Sequence, residues 1–425
     1  MPDSIEIQTC GPVEATIRPP GSKSITNRAL ICAAMATGRT QLVGALHSED
    51  TEVMVASLNQ LGIAVQANSD AATIDVEGCS GRIPVSEATL QVVGSGTSMR
   101  FLTAMCATAR GRFVLDGNPR MRERPIGDLT EALNQLGGDV SSADGFPPVE
   151  VQARGLPGGS ARVRSDQSSQ FLSAVLMALP FTEKFTVVQT HGSLVSRPYI
   201  NMTCQVMGHF GVDVLQMSEV GEYSVDPRHI YTGFEYDVEP DASAASYYWA
   251  AAAITGGSVK VPGLKPDALQ GDVRFVQLLE EMGCEISVDD EGITVSGRAE
   301  QGIDVNMSDI SDTAMTLAAV ALFAETPTTI RGIAHNRLKE TDRIGNLAIE
   351  LRKLGATVDE FEDGLAITPG KLTSAEIDTY NDHRMAMALS LVGLQQPGVV
   401  IRDPGCVEKT YPRFFEDLAR VTGGW

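Results

Sequence analysis

The residues of this chain that could do chemistry gather at the heads of Ala-rich helices. "PPGSKSITNR" (19–28) puts Lys23 and Arg28 on neighbouring turns, where they can clamp a phosphate or a carboxylate. The same stretch also reads as an ordinary capped helix with Ser24 as the N-cap. It is not a nucleotide P-loop, because that motif needs Gly before its Lys and here Lys23 follows Ser22. "GSGTSMRF" (94–101) offers Gly96 for close backbone approach and Thr97 as a cap. In "NPRMRERPIGDL" (118–129), Arg120, Arg122 and Arg124 alternate and share one face if the backbone is extended; Pro125 favours that state at Arg124. "SDQSSQF" (165–171) brings Ser168, Ser169 and Gln170 to a helix start, a set suited to a polyol or a phosphate, and "VSRPYI" adds Ser196 and Tyr199.

The second half has its own set. "SDTAMT" places Asp312 before an apolar helix, which is also what a plain N-cap looks like. "HNRLKETDR" (335–343) holds His335, Lys339, Glu340 and Arg343 together. Read as one helix, it stacks His335, Lys339 and Arg343 at i, i+4 spacing; such cations repel, and a bound anion would relieve them. "NDHRMAM" heads another helix with Asp382, His383 and Arg384, and "KTYP" supplies Lys409. There is no HExxH, no Cys/His zinc set, no EF-hand loop, no GxSxG elbow and no GxGxxG after a strand. Neither a metal nor a dinucleotide cofactor is expected.

Composition narrows the ligand class. With 425 residues and a net charge of −21, the chain is a poor partner for nucleic acid. Its cations are concentrated in the short segments above, which suits a small anionic ligand. Seven cysteines without a CxxC pair fit reduced thiols in the cytoplasm. No apolar stretch is long enough to span a bilayer, and "MPDSIEIQTC" has no secretory pattern.

A weak internal repeat must position these residues. Six polar heads each open an Ala-rich helix: "SKSITNRALICAAMATG", "SGTSMRFLTAMCATARG", "SSQFLSAVLMALP", "ASAASYYWAAAAITGG", "SDTAMTLAAVALFAE" and "NDHRMAMALSLVGL". Each is followed by a β-branched stretch such as "RTQLVG", "KFTVVQ" or "GVVIRD", a loop, and a second amphipathic helix. In five units that helix ends in an apolar residue plus Gly, at Gly62, Gly137, Gly211, Gly283 and Gly355, every 72–75 residues. Each Gly suits the left-handed position that stops a helix. The spacing predicts an α/β protein of two domains with three units each. One domain is 21–239; the other is discontinuous, 1–20 plus 240–425, with crossings near Pro19-Pro20-Gly21 and in "YDVEPDAS". Helix N-termini converging in such repeats would bind anions.

Taken in order, "PPGSKSITNRAL", "GTSMRFLTA", "LDGNPRMRERPIGDL", "SSQFL", "LVSRPYI", "RLKETDR", "YNDHRMAMA" and "DPGCVEKTYPRFFEDL" resemble the EPSP synthase family of enolpyruvyl transferases over nearly the whole chain. The resemblance implies two domains of three βαβαββ-type units, an inside-out α/β barrel architecture with the active site in the cleft between domains. It implies transfer of the enolpyruvyl group of phosphoenolpyruvate to the 5-hydroxyl of shikimate 3-phosphate, releasing phosphate. That is a step of chorismate and aromatic amino-acid biosynthesis, carried out in the cytoplasm by a monomer without metal or organic cofactor. By the same resemblance Asp312 accepts the proton of the attacking hydroxyl, Glu340 donates one to the enol carbon, and Lys23 serves both substrates. Lys23, Ser24, Arg28, Ser168, Ser169, Gln170, Ser196, Tyr199, Asp312, His335 and Lys339 look like the shikimate 3-phosphate set. Lys23, Gly96, Arg124, Gln170, Arg343, Arg384 and Lys409 look like the phosphoenolpyruvate set. The chain departs from the common pattern at Gly94, where Asn is usual, at Phe101, where many members have Pro, and at His335, where some have Asn. The alternative is the related UDP-N-acetylglucosamine enolpyruvyl transferase, which usually shows Lys-Asn near its start and a reactive Cys in its arginine loop; here Ser24 follows Lys23 and "NPRMRERP" has no Cys.

Overall fold

A computed structural model describes residues 2–192, 194–218 and 221–424. The chain falls into two compact units, Met1–Pro20 with Glu239–Trp425, and Gly21–Val238. The boundary expected after residue 239 falls one residue earlier: Glu239 belongs to the discontinuous unit, where its carboxylate accepts the Leu269 N–H at 2.9 Å.

The helices of the continuous unit are α1 (Lys23–Met35), α2 (Glu49–Gln60), α3 (Gly96–Ala107), α4 (Gly127–Gln135), α5 (Ser169–Ala178) and α6 (Arg197–His209). Those of the discontinuous unit are α7 (Ala242–Thr255), α8 (Phe275–Glu281), α9 (Ala314–Ala321), α10 (Arg343–Lys353), α11 (His383–Ser390) and α12 (Phe414–Val421). The first helix of each repeat is apolar almost all round, so it needs protein on every side. All of α3, α7, α9 and α11 is buried, and α1 is buried from Ile25 to Met35. The second helix of a repeat is amphipathic; α10 buries Ile344, Leu347, Ala348 and Leu351, an i, i+3, i+4, i+7 stripe, and exposes Ile349.

The sheets repeat one pattern. In the continuous unit their orders are Glu235–Asp237, Arg39–Val43, Thr73–Glu77, Val65–Asn68; then Glu87–Gln91, Arg110–Asp116, Phe146–Arg154, Val140–Ala143; then Ser160–Arg164, Thr186–His191, Glu222–Val225, Val214–Ser218. In each, the first pair is parallel and the next two pairs are antiparallel. The discontinuous unit repeats this with Glu14–Thr16, Ser258–Pro262, Gly292–Ser296, Glu285–Val288 and with Asp304–Asn306, Thr328–Arg331, Gly364–Thr368, Thr357–Phe361. Its last sheet pairs Ala375–Ile377 in parallel with Val399–Arg402, whose other edge takes the N-terminal strand Ser4–Ile7 antiparallel. Strands such as Ser160–Arg164 alternate exposed and buried residues, as expected of sheets with one face on the buried helices. The architecture is therefore the α/β fold expected from the repeat, with the apolar helices inside and the sheets outside.

The repeat-ending glycines carry φ values of 82° (Gly62), 88° (Gly137), 88° (Gly211), 111° (Gly283) and 100° (Gly355), the left-handed region that stops each helix. Two caps differ from expectation. Ser22, not Ser24, caps α1, its hydroxyl accepting the Ile25 N–H, so Ser24 lies inside the first turn. Ser95, not Thr97, caps α3 by accepting the Ser98 N–H, because the helix begins at Gly96.

The N-terminal strand closes the sixth sheet with Ile7, which is 1% exposed, and Gly393 is the neighbour that leaves room for it. Ile7→Ala is expected to cost about 2–4 kcal/mol in urea unfolding. Glu6→Ala, on the exposed side of the same strand, should stay within about 0.5 kcal/mol.

Candidate active site

In the continuous unit the heads of α1, α3, α5 and α6 contribute. Lys23 opens α1, and its ammonium lies 3.2 Å from the buried carboxylate of Asp50 in the first turn of α2. One turn on, Arg28 is 2% exposed. Its Nε donates to Thr203 Oγ1 at 2.7 Å, Nη1 to the Ser24 carbonyl at 3.0 Å, and Nη2 to the Tyr199 carbonyl at 3.2 Å and Ser173 Oγ at 3.4 Å. The guanidinium carbon sits 5.2 Å from the Phe101 ring centre and 5.9 Å from that of Tyr199. All these partners are neutral. Burial draws the Arg28 pKa down to about 10, which still leaves the side chain charged at neutral pH.

Arg124 is likewise buried, and its Nη1 donates to the Gly94 carbonyl at 3.4 Å. Arg120, Arg122 and Arg124 do not share one extended face. Met121–Glu123 winds into a 3₁₀ turn held by Asn118, which sends Arg120 to Glu123 and Arg122 to Asp116 on the surface and turns Arg124 inward. A Cβ on Gly96 would run into the guanidinium ends of Arg100 and Arg124, so only glycine leaves both in place. Gln170 Nε2 donates to Thr97 Oγ1 at 3.3 Å, which joins the head of α5 to that of α3. Ser168 caps α5 by accepting the Gln170 N–H at 3.2 Å, and Ser169 is buried in its first turn. Ser196 precedes α6 at φ 53°, a left-handed conformation unusual for a residue with a side chain.

In the discontinuous unit the expected residues gather around one guanidinium. Arg343 is 2% exposed; it grips Asp382 through Nε to Oδ2 at 2.7 Å and Nη2 to Oδ1 at 3.2 Å. It also donates from Nη2 to Glu340 Oε2 at 2.8 Å and from Nη1 to Asp312 Oδ1 at 3.3 Å. Arg384 Nη2 donates to Asp312 Oδ2 at 2.8 Å, and Lys409 Nζ lies 3.4 Å from Glu340 Oε1. Burial pulls the Arg343 pKa down, but Asp382, Glu340 and Asp312 more than offset it and hold the group above its ordinary value. Asp382 also caps α11, accepting the Arg384 N–H at 2.9 Å.

Two expectations change here. Asp312 is no helix cap; it lies in a 3₁₀ turn, Ser311–Thr313, and turns its carboxylate to the two arginines. Residues 335–343 are not one helix. Ala334–Leu338 is a 3₁₀ turn, Lys339 has ψ −148°, and α10 begins at Arg343 with Asp342 as its cap. His335 and Lys339 are therefore not stacked a helical turn apart. His335 is buried, its Nε2 2.8 Å from Ser311 Oγ; burial, with Lys339 nearby, lowers its pKa to about 3, so the ring is neutral.

Several side chains in these sets carry no sequence signal of their own. Asp50, Ser173 and Thr203 meet Lys23 and Arg28 only through the fold. Arg100 is visible in "GTSMRF" as a charge inside an apolar helix, and it is 3% exposed, with Nη2 donating to the Pro125 carbonyl at 3.1 Å. Among the described residues no group of three or more His, Cys, Asp and Glu side chains could hold a metal, and no helix is long and apolar enough to cross a membrane.

Buried cations at helix heads, with three carboxylates held among those of the discontinuous unit, suit a reaction of small anions. The comparisons with known proteins agree. The family model "EPSP synthase (3-phosphoshikimate 1-carboxyvinyltransferase)" matches residues 7–418. A 3-phosphoshikimate 1-carboxyvinyltransferase of Nostoc punctiforme is 48% identical over 97% of this chain and 98% of its own length. One from Shewanella denitrificans is 46% identical over 96% and 97%. The solved structure of EPSP synthase from Acinetobacter baumannii matches with a TM-score of 0.83 at 25% identity, covering 99% of this chain and 98% of that one. The enolpyruvyl transferase NikO from Streptomyces tendae shares the fold, with a TM-score of 0.76 at 19% identity over 98% of this chain and 97% of its own. The chain belongs to the EPSP synthase family.

Proposed function

We propose that this chain transfers the enolpyruvyl group of phosphoenolpyruvate to the 5-hydroxyl of shikimate 3-phosphate, giving 5-enolpyruvylshikimate 3-phosphate and phosphate. The observation that carries the reading is the pair of carboxylates, Asp312 and Glu340, bound to opposite arms of one buried arginine. A transfer of this kind needs an acid and a base at once. Glu340 gives a proton to C3 of phosphoenolpyruvate, which makes C2 electrophilic. The 5-hydroxyl attacks C2 as Asp312 takes its proton. Loss of a C3 proton and of phosphate then restores the double bond.

Both carboxylates have cationic partners here, which favour their charged forms. That suits Asp312 as a base. Glu340 can act as a donor once the anionic groups of phosphoenolpyruvate draw Arg343 and Lys409 to themselves. Lys23, Gly96, Arg124, Gln170, Arg343, Arg384 and Lys409 bind phosphoenolpyruvate. Lys23, Ser24, Arg28, Ser168, Ser169, Gln170, Ser196, Tyr199, Asp312, His335 and Lys339 bind shikimate 3-phosphate. The charge of Arg28, held only by neutral acceptors, supports its place in that set. A neutral His335 fits a hydrogen-bond partner rather than a proton donor. The cysteines, all free, fit a reducing cytoplasm, and a chain that carries all six repeats needs no second copy to complete either unit.

The reading is tested by phosphate release. It should appear only when phosphoenolpyruvate and shikimate 3-phosphate are supplied together. Release with UDP-N-acetylglucosamine and none with shikimate 3-phosphate would overturn it. Asp312→Ala should lower kcat at least about 1,000-fold while calorimetry still detects shikimate 3-phosphate binding. Turnover near wild type in that variant would remove Asp312 from the base role.

A further inference from the structure

Behind Arg384 lies a second layer that the family reading does not use. Ser243 and Tyr247 stand one turn apart on α7, so they share a face of that helix. Arg384 Nη2, besides its 2.8 Å bond to Asp312, reaches Ser243 Oγ at 3.5 Å. Ser243 has a fixed orientation. Its hydroxyl donates to Asp272 Oδ2 at 2.7 Å and accepts from Gln270 Nε2 at 3.0 Å. One donor and two lone pairs are all a serine has, so the last lone pair faces the guanidinium.

Tyr247 is 1% exposed and packs edge-on against Phe414, the ring centres 5.5 Å apart. Its hydroxyl makes no hydrogen bond of full geometry, and the Arg384 guanidinium lies close to it. Burial raises the phenol pKa to about 12, and the nearby Arg384 guanidinium opposes part of that rise. A buried hydroxyl without a well-formed hydrogen bond is costly, which favours a state in which the Arg384 guanidinium moves onto it.

We propose that Ser243 and Tyr247 are positioning residues for Arg384, forming a hydroxyl seat that takes its guanidinium when phosphoenolpyruvate draws it off Asp312. Two hydroxyls supply acceptors for the guanidinium, and the Asp272 carboxylate behind Ser243 holds the first of them in orientation. The same movement releases Asp312 from one of its two arginines. The inference rests on the assignment of Arg384 to phosphoenolpyruvate.

The test is steady-state kinetics of Tyr247→Phe, which removes one oxygen and keeps the packing. KM for phosphoenolpyruvate should rise about tenfold, with KM for shikimate 3-phosphate within twofold and no loss of thermal midpoint. In an Arg384→Lys background the same substitution should change KM for phosphoenolpyruvate less than twofold, since a shorter, differently shaped cation cannot use the seat. A wild-type KM for phosphoenolpyruvate in Tyr247→Phe, or an equal fold-change in both backgrounds, overturns the seat. Wild-type protein inactive toward the two substrates would instead overturn the functional reading, and the seat with it. Ser243→Ala should weaken phosphoenolpyruvate in the same direction, with Ser243→Thr restoring it.

Discussion

The discontinuous unit depends on how Arg343 is neutralised. A guanidinium cannot lose its proton at ordinary pH, and burying it is costly unless its donors and its charge are both met. Arg343 meets them with three carboxylates. Asp382 takes a two-point grip, Glu340 takes one donor and Asp312 another. Each carboxylate comes from a different local structure. Asp382 caps α11, Glu340 precedes α10, and Asp312 lies in the 3₁₀ turn before α9. One side chain therefore fixes the relative positions of three helix heads. Arg384 and Lys409 add two positive charges, so three carboxylates face three cations. Such a cluster can exchange internal ion pairs for contacts with an anion at little cost in net charge. An apolar cluster of the same volume would pack as well and bind nothing.

The continuous unit uses the opposite electrostatics. Arg28 is as buried as Arg343, yet hydroxyls and carbonyls hold it instead of carboxylates. Its charge stays uncompensated, and burial shows in a pKa lowered to about 10. Phe101 and Tyr199 lend their ring faces to the same cation. Arg124 stands close by the backbone of Gly94–Gly96, where a single added methyl would displace it. In a protein of net charge −21, these are the places where an anion gains most by leaving water.

Much of this was legible before any coordinates. The Gly markers found the helix ends because a left-handed residue is a local requirement, and the φ values agree at all five. The β-branched stretches found the strand that follows each apolar helix. Strands such as Glu235–Asp237 and Glu14–Thr16 were not legible, because their partners lie in distant sequence and they are only three residues long. The same holds for the site. Lys23, Arg28 and Asp312 stand out as polar residues at apolar helix heads, and Arg343 in a charged cluster before an amphipathic helix. Their environments do not: Asp50, Thr203 and Asp382 become partners only through tertiary packing. Cap assignment slipped by two residues at both Ser22 and Ser95, since several small polar residues compete at each head and only backbone geometry chooses. The i, i+4 reading of 335–343 failed because Asp342 caps a new helix there, which breaks the phase.

The proposed transfer begins with a proton that Glu340 gives to C3 of phosphoenolpyruvate, after which one of the three hydrogens on that carbon is withdrawn. Turnover in deuterium oxide tests this most directly, with mass spectrometry of the enolpyruvyl methylene in the product. Protonation makes C3 a methyl group, so the hydrogen removed afterwards need not be the one added. Deuterium should enter the methylene with wild-type protein, and Glu340→Gln should lose both the label and the turnover. Full product formation with no deuterium at that carbon would contradict a freely turning C3 methyl formed by protonation, and with it the mechanism at its first step.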